Sequence, residues 1–165
     1  MAAERAADAL PLERLPPFAA FSLYFAHGSE IDPRPLGRRL AETGAVALLP
    51  VALSHSTALI FRVFAPDAAL EPDVVGVPSP PKSAAEMVPD LIVAPLLAFD
   101  RRGGRLGQGG GHFDRTLENL RAARPVFVLG LAYAGQEVDE IPMEPHDQRL
   151  DAVLTETGYR PVEQD

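Results

Sequence analysis

Hydrophobic residues in this chain gather in short runs that proline-rich and polar segments separate. Short apolar runs rich in aliphatic and aromatic residues are typical of strands that a sheet buries on both faces. They predict strands at 18–25, 46–49, 57–64, 90–99, 125–131 and 151–155, with a further short one at 74–77. We expect Pro50 to end the second strand, because proline has no amide hydrogen to donate.

Helices are predicted between these runs. Leu36 and Leu40 lie four residues apart, on one helix face, in a segment that starts near Asp32 and closes at Gly44. A second helix is predicted over 114–123, and the prolines within residues 1–17 limit that segment to two or three helical turns. Strands that alternate with helices predict an α/β fold with a mostly parallel central sheet.

Composition narrows the class of protein. The chain has 165 residues, 47% of them hydrophobic, which is enough for one buried core. It has 15 basic and 23 acidic residues and a net charge of −8, which disfavours binding to nucleic acid. Cysteine is absent, which excludes disulfides and thiolate zinc sites. No run approaches the roughly 20 apolar residues that cross a bilayer, so we expect no contact with a membrane.

The segment between the strand at 90–99 and the helix at 114–123 is the most informative. It holds six glycines in nine residues, from Gly103 to Gly111, with Arg105 among them. Successive amide groups in such a loop bind anions, and the positive end of the next helix faces them. Together with Asp114 as a Mg²⁺ ligand, the segment suits a phosphate chain. The alternative is a mobile hairpin in which Asp114 is an ordinary N-cap.

This segment resembles the signature of the 5-formyltetrahydrofolate cyclo-ligase family, also called 5,10-methenyltetrahydrofolate synthetases. The matching positions run from Asp90 to Leu117 and include Arg105, Leu106, Gly107, Gly109, Gly110, Gly111, Asp114 and Arg115. Further matches are 29–32, Leu49-Pro50, Gln136, 142–147 and 150–156. The resemblance therefore covers about residues 18–158.

The resemblance implies a three-layer α/β/α sandwich, the cyclo-ligase (CoA transferase-like) fold, as a single domain over 18–158. Residues 1–17 would be a shortened N-terminal segment and 159–165 a C-terminal tail. It also implies the ATP- and Mg²⁺-dependent conversion of 5-formyltetrahydrofolate to 5,10-methenyltetrahydrofolate, with release of ADP and phosphate. We expect a cytoplasmic monomer whose partners are two small molecules, ATP and 5-formyltetrahydrofolate. The folate is accepted with or without a polyglutamate tail.

The resemblance also implies roles for single residues. Catalysis would use Arg105 and His112, and one Mg²⁺ would be shared by Asp114 and Asp151. The nucleotide would be held by Arg105, Leu106, Gly107, Gly109, Gly110, Gly111, His112 and Phe113. The folate would be bound by Phe25, Glu30, Gln108, Gly109, Gly110, Gly111 and His112.

Several of these residues also have a plainer interpretation. On composition alone Phe25 belongs in the core, Glu30 in solvent before a helix, and Asp151 at the cap of a turn. We interpret His146 and Asp147 as structural, because their spacing does not resemble a zinc site.

Three differences from the family pattern keep other functions open. His112-Phe113 replaces a tyrosine pair, Ser79 stands where the family has glutamate or glutamine, and Arg5 and Arg14 are the only basic residues in the first 17. The main alternative is a cyclo-ligase-like protein that binds folate or nucleotide with little or no ligase activity. A third reading is a phosphoryl-transfer enzyme that acts on another formamide or on a carboxylate.

Overall fold

The computed structural model describes residues 1–107 and 111–163. Its helices are α1 (Ala2–Ala9), α2 (Arg34–Ala41) and α3 (His112–Ala123), with short 3-10 turns at Leu12–Arg14 and Ala134–Gln136. Its strands are β1 (Ala20–Ser22), β2 (Val46–Val51), β3 (Ile60–Val63), β4 (Glu71–Pro72), β5 (Pro78–Ser79), β6 (Leu91–Ala94), β7 (Ala98–Phe99), β8 (Arg105–Leu106), β9 (Phe127–Leu131), β10 (Ala152–Thr155) and β11 (Gly158–Pro161). None of the helices in these residues has the length and apolar character needed to cross a membrane.

Seven strands form the main sheet in the order β11-β10-β9-β6-β1-β2-β3. The five central strands are parallel, and β11 and β3 pair antiparallel at the two edges. The hairpins β4–β5 and β7–β8 form two small separate sheets. The prediction of a mostly parallel central sheet is confirmed.

Each face of the sheet has its own core, which confirms the three-layer sandwich. Leu91 and Val93 of β6 pack with α1 and α2, whereas Ile92 and Ala94 pack on the opposite face with Leu117 of α3. This follows from the alternation of side chains along a strand, because every second residue points to the same face. β6 is buried throughout, as its uninterrupted apolar sequence predicts.

Two prolines place strand ends differently from the prediction. The strand expected over 90–99 stops at Ala94, because Pro95 has no N–H to continue the ladder, and Ala98–Phe99 then pairs with β8 instead. Pro50, expected as a stop, lies inside β2 opposite Phe61. The carbonyl of Phe61 accepts from Met87 on the side away from β2, so this pair needs no amide hydrogen from Pro50.

Other boundaries also shift. The strand predicted at 74–77 is wrong: these residues belong to the turn between β4 and β5, where Asp73 Oδ1 accepts from the amides of Val75 and Val77. The helix predicted over 114–123 begins two residues earlier, at His112. The sheet continues into the predicted C-terminal tail, because Gly158–Pro161 forms β11.

The first helix is bound to the rest of the sandwich by an arginine of α2. The Arg39 guanidinium donates to the carbonyl oxygens of Ala7 and Asp8, at 2.6 and 2.8 Å. These carbonyls lie at the C-terminal end of α1, where a cation stabilises the helix and satisfies free acceptors. The helical turns predicted within 1–17 are therefore present and packed.

The turn between β7 and β8 is built around a buried carboxylate. Asp100 Oδ1 accepts from the amides of Arg102 and Gly104, and Oδ2 accepts from the amide of Ile141. A Cβ on Gly103 would lie 2.5 Å from the Leu150 carbonyl oxygen, so only glycine fits there. The first two glycines of the glycine-rich segment therefore serve the fold.

The loop after β1 is held by a buried tyrosine. Tyr24 donates from its hydroxyl to the carbonyl of Ile31, which closes the segment 25–30 into a compact loop. Burial raises the pKa of the Tyr24 phenol well above its usual range, and the charges of Glu30 and Asp32 raise it further. The neutral phenol is thus part of the folded state.

We expect Asp100→Asn to lower the free energy of unfolding by about 2–3 kcal/mol, because an amide group replaces one charged acceptor of a buried N–H. Urea titration measures the loss. Asp139→Asn, which changes an exposed carboxylate, should stay within about 0.5 kcal/mol of the parent. Equal stability of the two variants would show that the Asp100 bonds do not support the turn.

Tyr24 should make the fold sensitive to alkali. A group whose pKa is raised on folding stabilises the protein below its unfolded pKa and loses that contribution as pH rises. Above pH 10, we expect Tyr24 to remove about 1.4 kcal/mol of stability per pH unit. Tyr24→Phe should be less stable near neutrality, for want of the bond to Ile31, and should lack this alkaline component. Chemical denaturation at pH 10 and pH 11 measures this component. If Tyr24→Phe loses as much unfolding free energy between these two pH values as the parent does, the assignment is refuted.

Candidate active site

The candidate site lies at the carboxyl ends of the parallel strands, where ligands of open α/β sheets bind. Large apolar side chains follow four of these ends and are exposed: Phe25 after β1, Leu53 after β2, Leu97 after β6 and Tyr133 after β9. Leu106 of β8 is exposed as well. We call these five residues the apolar rim. Exposed apolar side chains at one end of the strands of a sheet are typical of a ligand-binding surface.

Arg105 is the central cation of the site. Its Nη2 donates to the Pro95 carbonyl at 3.1 Å, and its guanidinium lies 5.2 Å from the ring centre of Phe113. Its Nε is buried and finds no hydrogen-bond acceptor among the described residues. A Cβ on Gly107 would lie 2.7 Å from Nη2, so this glycine makes room for the guanidinium.

Three carboxylates from separate segments act on this guanidinium. Burial lowers the pKa of Arg105, and the charges of Asp114, Glu30 and Asp147 oppose that shift. Arginine stays protonated throughout the range in which proteins fold, so the site keeps a fixed positive charge within an acidic frame. The predicted residues Glu30 and Asp114 thus contribute negative charge to the surroundings of Arg105.

The start of α3 faces the same region. Gly111 precedes the helix as its N-cap, with φ +72°, a left-handed conformation that favours glycine. The interpretation of Asp114 as an N-cap is therefore wrong, because Asp114 is the third residue of the helix. Its Oδ1 accepts from the amide of Gln148 at 3.0 Å.

The first turn of α3 also holds the loop after β2. His112 Nε2 lies 3.1 Å from the Ser54 carbonyl oxygen. Thr116 Oγ1 accepts from the Leu59 amide at 2.8 Å and donates to the His112 carbonyl at 2.6 Å. His112, predicted as catalytic, is thus engaged through one ring nitrogen with a backbone carbonyl.

Asp151 occupies another place. Its Oδ2 accepts from Arg121 at 3.0 Å and from the Val128 amide at 2.8 Å, near the start of β9. Arg121 lies two turns along α3 from Asp114, about 10 Å of helix. Asp151 is thus engaged by Arg121 and by the Val128 amide, and a Mg²⁺ shared with Asp114 stays a prediction.

The folate residues predicted after β1 lie in the loop that Tyr24 closes. Glu30 is half-buried, and its Oε1 accepts from the His27 amide at 2.8 Å. Phe25 is exposed, so the interpretation of Phe25 as a core residue is wrong. Gln108, Gly109 and Gly110, predicted for folate or nucleotide, lie outside the described residues.

Three residues near the site were not predicted to serve it. Asp147, interpreted from the sequence as structural, acts electrostatically on Arg105. Ser54 contacts His112, and Tyr133 belongs to the apolar rim. A signal existed for Tyr133, which comes two residues after the predicted strand at 125–131, whereas Asp147 and Ser54 lie in loops without a motif.

Curated relatives resemble most of this chain. The 5-formyltetrahydrofolate cyclo-ligase of Haemophilus influenzae is 33% identical over 138 residues, which are 81% of this chain and 73% of the relative. The enzyme of that name from Mycolicibacterium smegmatis is 37% identical over 139 residues, or 80% of this chain and 71% of the relative.

Solved structures share the fold. The NMR structure of Aquifex aeolicus 5,10-methenyltetrahydrofolate synthetase has a TM-score of 0.76 at 24% identity and covers 99% of this chain and 82% of that one. A 5,10-methenyltetrahydrofolate synthetase from Mycoplasma pneumoniae has a TM-score of 0.67 at 23% identity, over 94% of this chain and 85% of that one. The family model described as 5-formyltetrahydrofolate cyclo-ligase matches residues 6–156, and the chain therefore belongs to this family.

Proposed function

We propose that this protein is an enzyme that converts 5-formyltetrahydrofolate to 5,10-methenyltetrahydrofolate with ATP and Mg²⁺, releasing ADP and phosphate. The observation that carries the proposal is Arg105, a half-buried cation in the family's signature segment, whose Nε–H has no acceptor among the described residues. We also propose a cytoplasmic location and a monomer, and a folate substrate with or without a polyglutamate tail.

ATP would supply a leaving group, because a formyl oxygen departs poorly as hydroxide and well as phosphate. The protein's part is positioning and charge neutralisation, as in phosphoryl transfer generally. Arg105 would donate its Nε–H, for which residues 1–107 and 111–163 hold no acceptor, to a phosphate oxygen. The amides at the start of α3, behind Gly111, would hold further oxygens.

Asp114 fits a Mg²⁺ ion that one carboxylate holds together with phosphate oxygens and water, the usual mode for this ion. No group of three or more carboxylates or histidines suited to a metal occurs within 1–107 and 111–163. The described residues thus fit a Mg²⁺ ion that binds together with the nucleotide and takes several of its ligands from phosphate and water. Asp151, which is bonded to Arg121, is the weaker part of the predicted pair.

Glu30 and the apolar rim would bind the folate. A half-buried carboxylate can accept from the N–H donors of a pterin, and the exposed rings of Phe25 and Tyr133 offer apolar contact. In this arrangement Glu30 and Arg105 would bind the two substrates from neighbouring positions, so that the formyl oxygen and the terminal phosphate meet between them.

A folate- or nucleotide-binding protein without turnover is the second candidate. It is favoured by the replacement of the family's tyrosine pair: His112 is engaged with Ser54, and Phe113 has no hydroxyl. Calorimetry with MgATP and with 5-formyltetrahydrofolate, followed by an assay of methenyl absorbance, separates the two. Turnover supports the ligase, binding without an absorbance change supports the second candidate, and absence of binding contradicts both.

We expect Asp114→Asn to lower turnover at least tenfold, about 1.4 kcal/mol of barrier, because a neutral amide binds Mg²⁺ poorly. Its unfolding free energy should change little, since the amide oxygen still accepts from Gln148. Full activity at limiting Mg²⁺ would remove Asp114 from the metal site.

If its pairing with Arg121 keeps Asp151 away from the metal, Asp151→Asn should show the opposite pattern, with the unfolding free energy lower by about 1–2 kcal/mol and turnover within a factor of about three. The reason is that its carboxylate pairs with Arg121 and the Val128 amide. If turnover instead falls as in Asp114→Asn at unchanged stability, Asp151 is a metal ligand after all.

Gly111→Ala should weaken MgATP binding, because alanine resists φ +72° and its adjustment would turn the amides at the start of α3. The strain is of order 1–3 kcal/mol, or about 5- to 150-fold in affinity if it falls on binding. Gly135→Ala is the control, since a Cβ at Gly135 meets no atom within 4 Å and its φ is not positive. Equal affinities in calorimetry would show that Gly111 serves folding alone.

A further inference from the structure

The side chain of Gln136, which is not among the proposed substrate contacts, joins two loops at the carboxyl ends of the parallel strands. Gln136 is the last residue of the 3-10 turn that follows β9. Its Oε1 accepts from the Tyr133 amide at 2.7 Å, which closes that turn. Its Nε2 donates to the carbonyl oxygens of Leu96 and Leu97, at 3.0 and 3.2 Å, in the loop after β6.

The loop after β6 is the segment that holds Arg105. Pro95, Leu96 and Leu97 are consecutive, and each carbonyl accepts from a side chain: Arg105 bonds to the first, and Gln136 bonds to the other two. The loop lies beyond the last position that β6 pairs with β9, and these side chains donate to carbonyls outside that ladder. The Pro95 carbonyl therefore lies one residue before the first carbonyl that Gln136 binds.

We propose that Gln136 is a positioning residue that sets the Pro95–Leu97 carbonyls and thereby holds the Arg105 guanidinium in place for an anionic ligand. Only a primary amide of this length can do so, because one end must accept from Tyr133 while the other donates twice. A glutamate would set a carboxylate oxygen against two carbonyls, and an alanine would leave all three partners unpaired. The identity of the ligand rests on the proposed function, but the positioning role does not.

The role can be measured without any ligand. The Arg105 Nε–H is buried and should give a protected resonance in ¹H–¹⁵N spectra, assigned by its loss in Arg105→Lys. We expect Gln136→Ala and Gln136→Glu to shift this resonance and speed its exchange at least about tenfold, since the Pro95 carbonyl that accepts from the guanidinium is then no longer held in place. Arg39→Ala is a control for general destabilisation, because Arg39 caps α1 away from the site.

A double-mutant cycle then tests whether Gln136 acts through Arg105. Gln136→Ala should weaken MgATP binding by about tenfold, the equivalent of one charged hydrogen bond, and weaken 5-formyltetrahydrofolate binding by less. In an Arg105→Ala background, the same change should have almost no further effect on MgATP affinity.

Two results would overturn the inference: an Arg105 resonance in Gln136→Ala that matches the parent, or a full tenfold loss that persists without Arg105. Loss of the resonance in Arg39→Ala as well would also count against it, because destabilisation alone would then explain the change. Failure of the unaltered protein to bind ATP would refute the proposed function, while the exchange measurement would still decide the role of Gln136.

Discussion

A buried guanidinium loses its hydrogen bonds to water, so the protein must provide acceptors in their place. Without them, the desolvation of the charge destabilises the folded state. Among the residues that the structure describes, Arg105 has one such acceptor, the Pro95 carbonyl, which is available because β6 ends before this proline. The face of the Phe113 ring covers the guanidinium, and carboxylates act on it from a distance. One donor still lacks an acceptor, since Nε has no hydrogen-bond partner within the described part of the chain. This free N–H is what makes the site suited to an anion.

The glycine-rich segment divides into two parts that the sequence alone presents as one. Gly103 and Gly104 form the turn around Asp100, which ties β7 and β8 to the chain near Ile141. Gly107 and Gly111 make room for arginine side chains and start α3. The first pair fixes where the hairpin stands, and the second pair leaves space beside the cation. The sequence alone predicts an anion-binding loop for the whole segment, because glycine spacing does not reveal which contacts exclude a side chain.

Much of the fold could be predicted because buried strands have continuous apolar sequences. The strand boundaries could not be predicted as well. Pro50 is tolerated inside β2 because the carbonyl of its neighbour Phe61 accepts from Met87 instead, and the apolar sequence does not reveal this pairing. Motif matching assigned both Arg105 and Asp114 to the nucleotide and metal site, an assignment that stays a prediction. It could not show that Asp151 is bonded to Arg121 and Val128 near the start of β9, because a motif carries no information about which end of a strand it occupies.

The first turn of α3 connects parts of the site that lie far apart in the chain. His112 and Thr116 hold the loop 52–59, and Asp114 holds the segment around Gln148. A change at the start of the helix is therefore transmitted to both loops, in addition to any phosphate at its amides. Histidine at 112 gives the loop a hydrogen-bond partner in the ring itself, which the phenylalanine at 113 cannot provide. The two replaced positions thus have separate tasks in this chain: His112 fixes a loop, and Phe113 supports the cation.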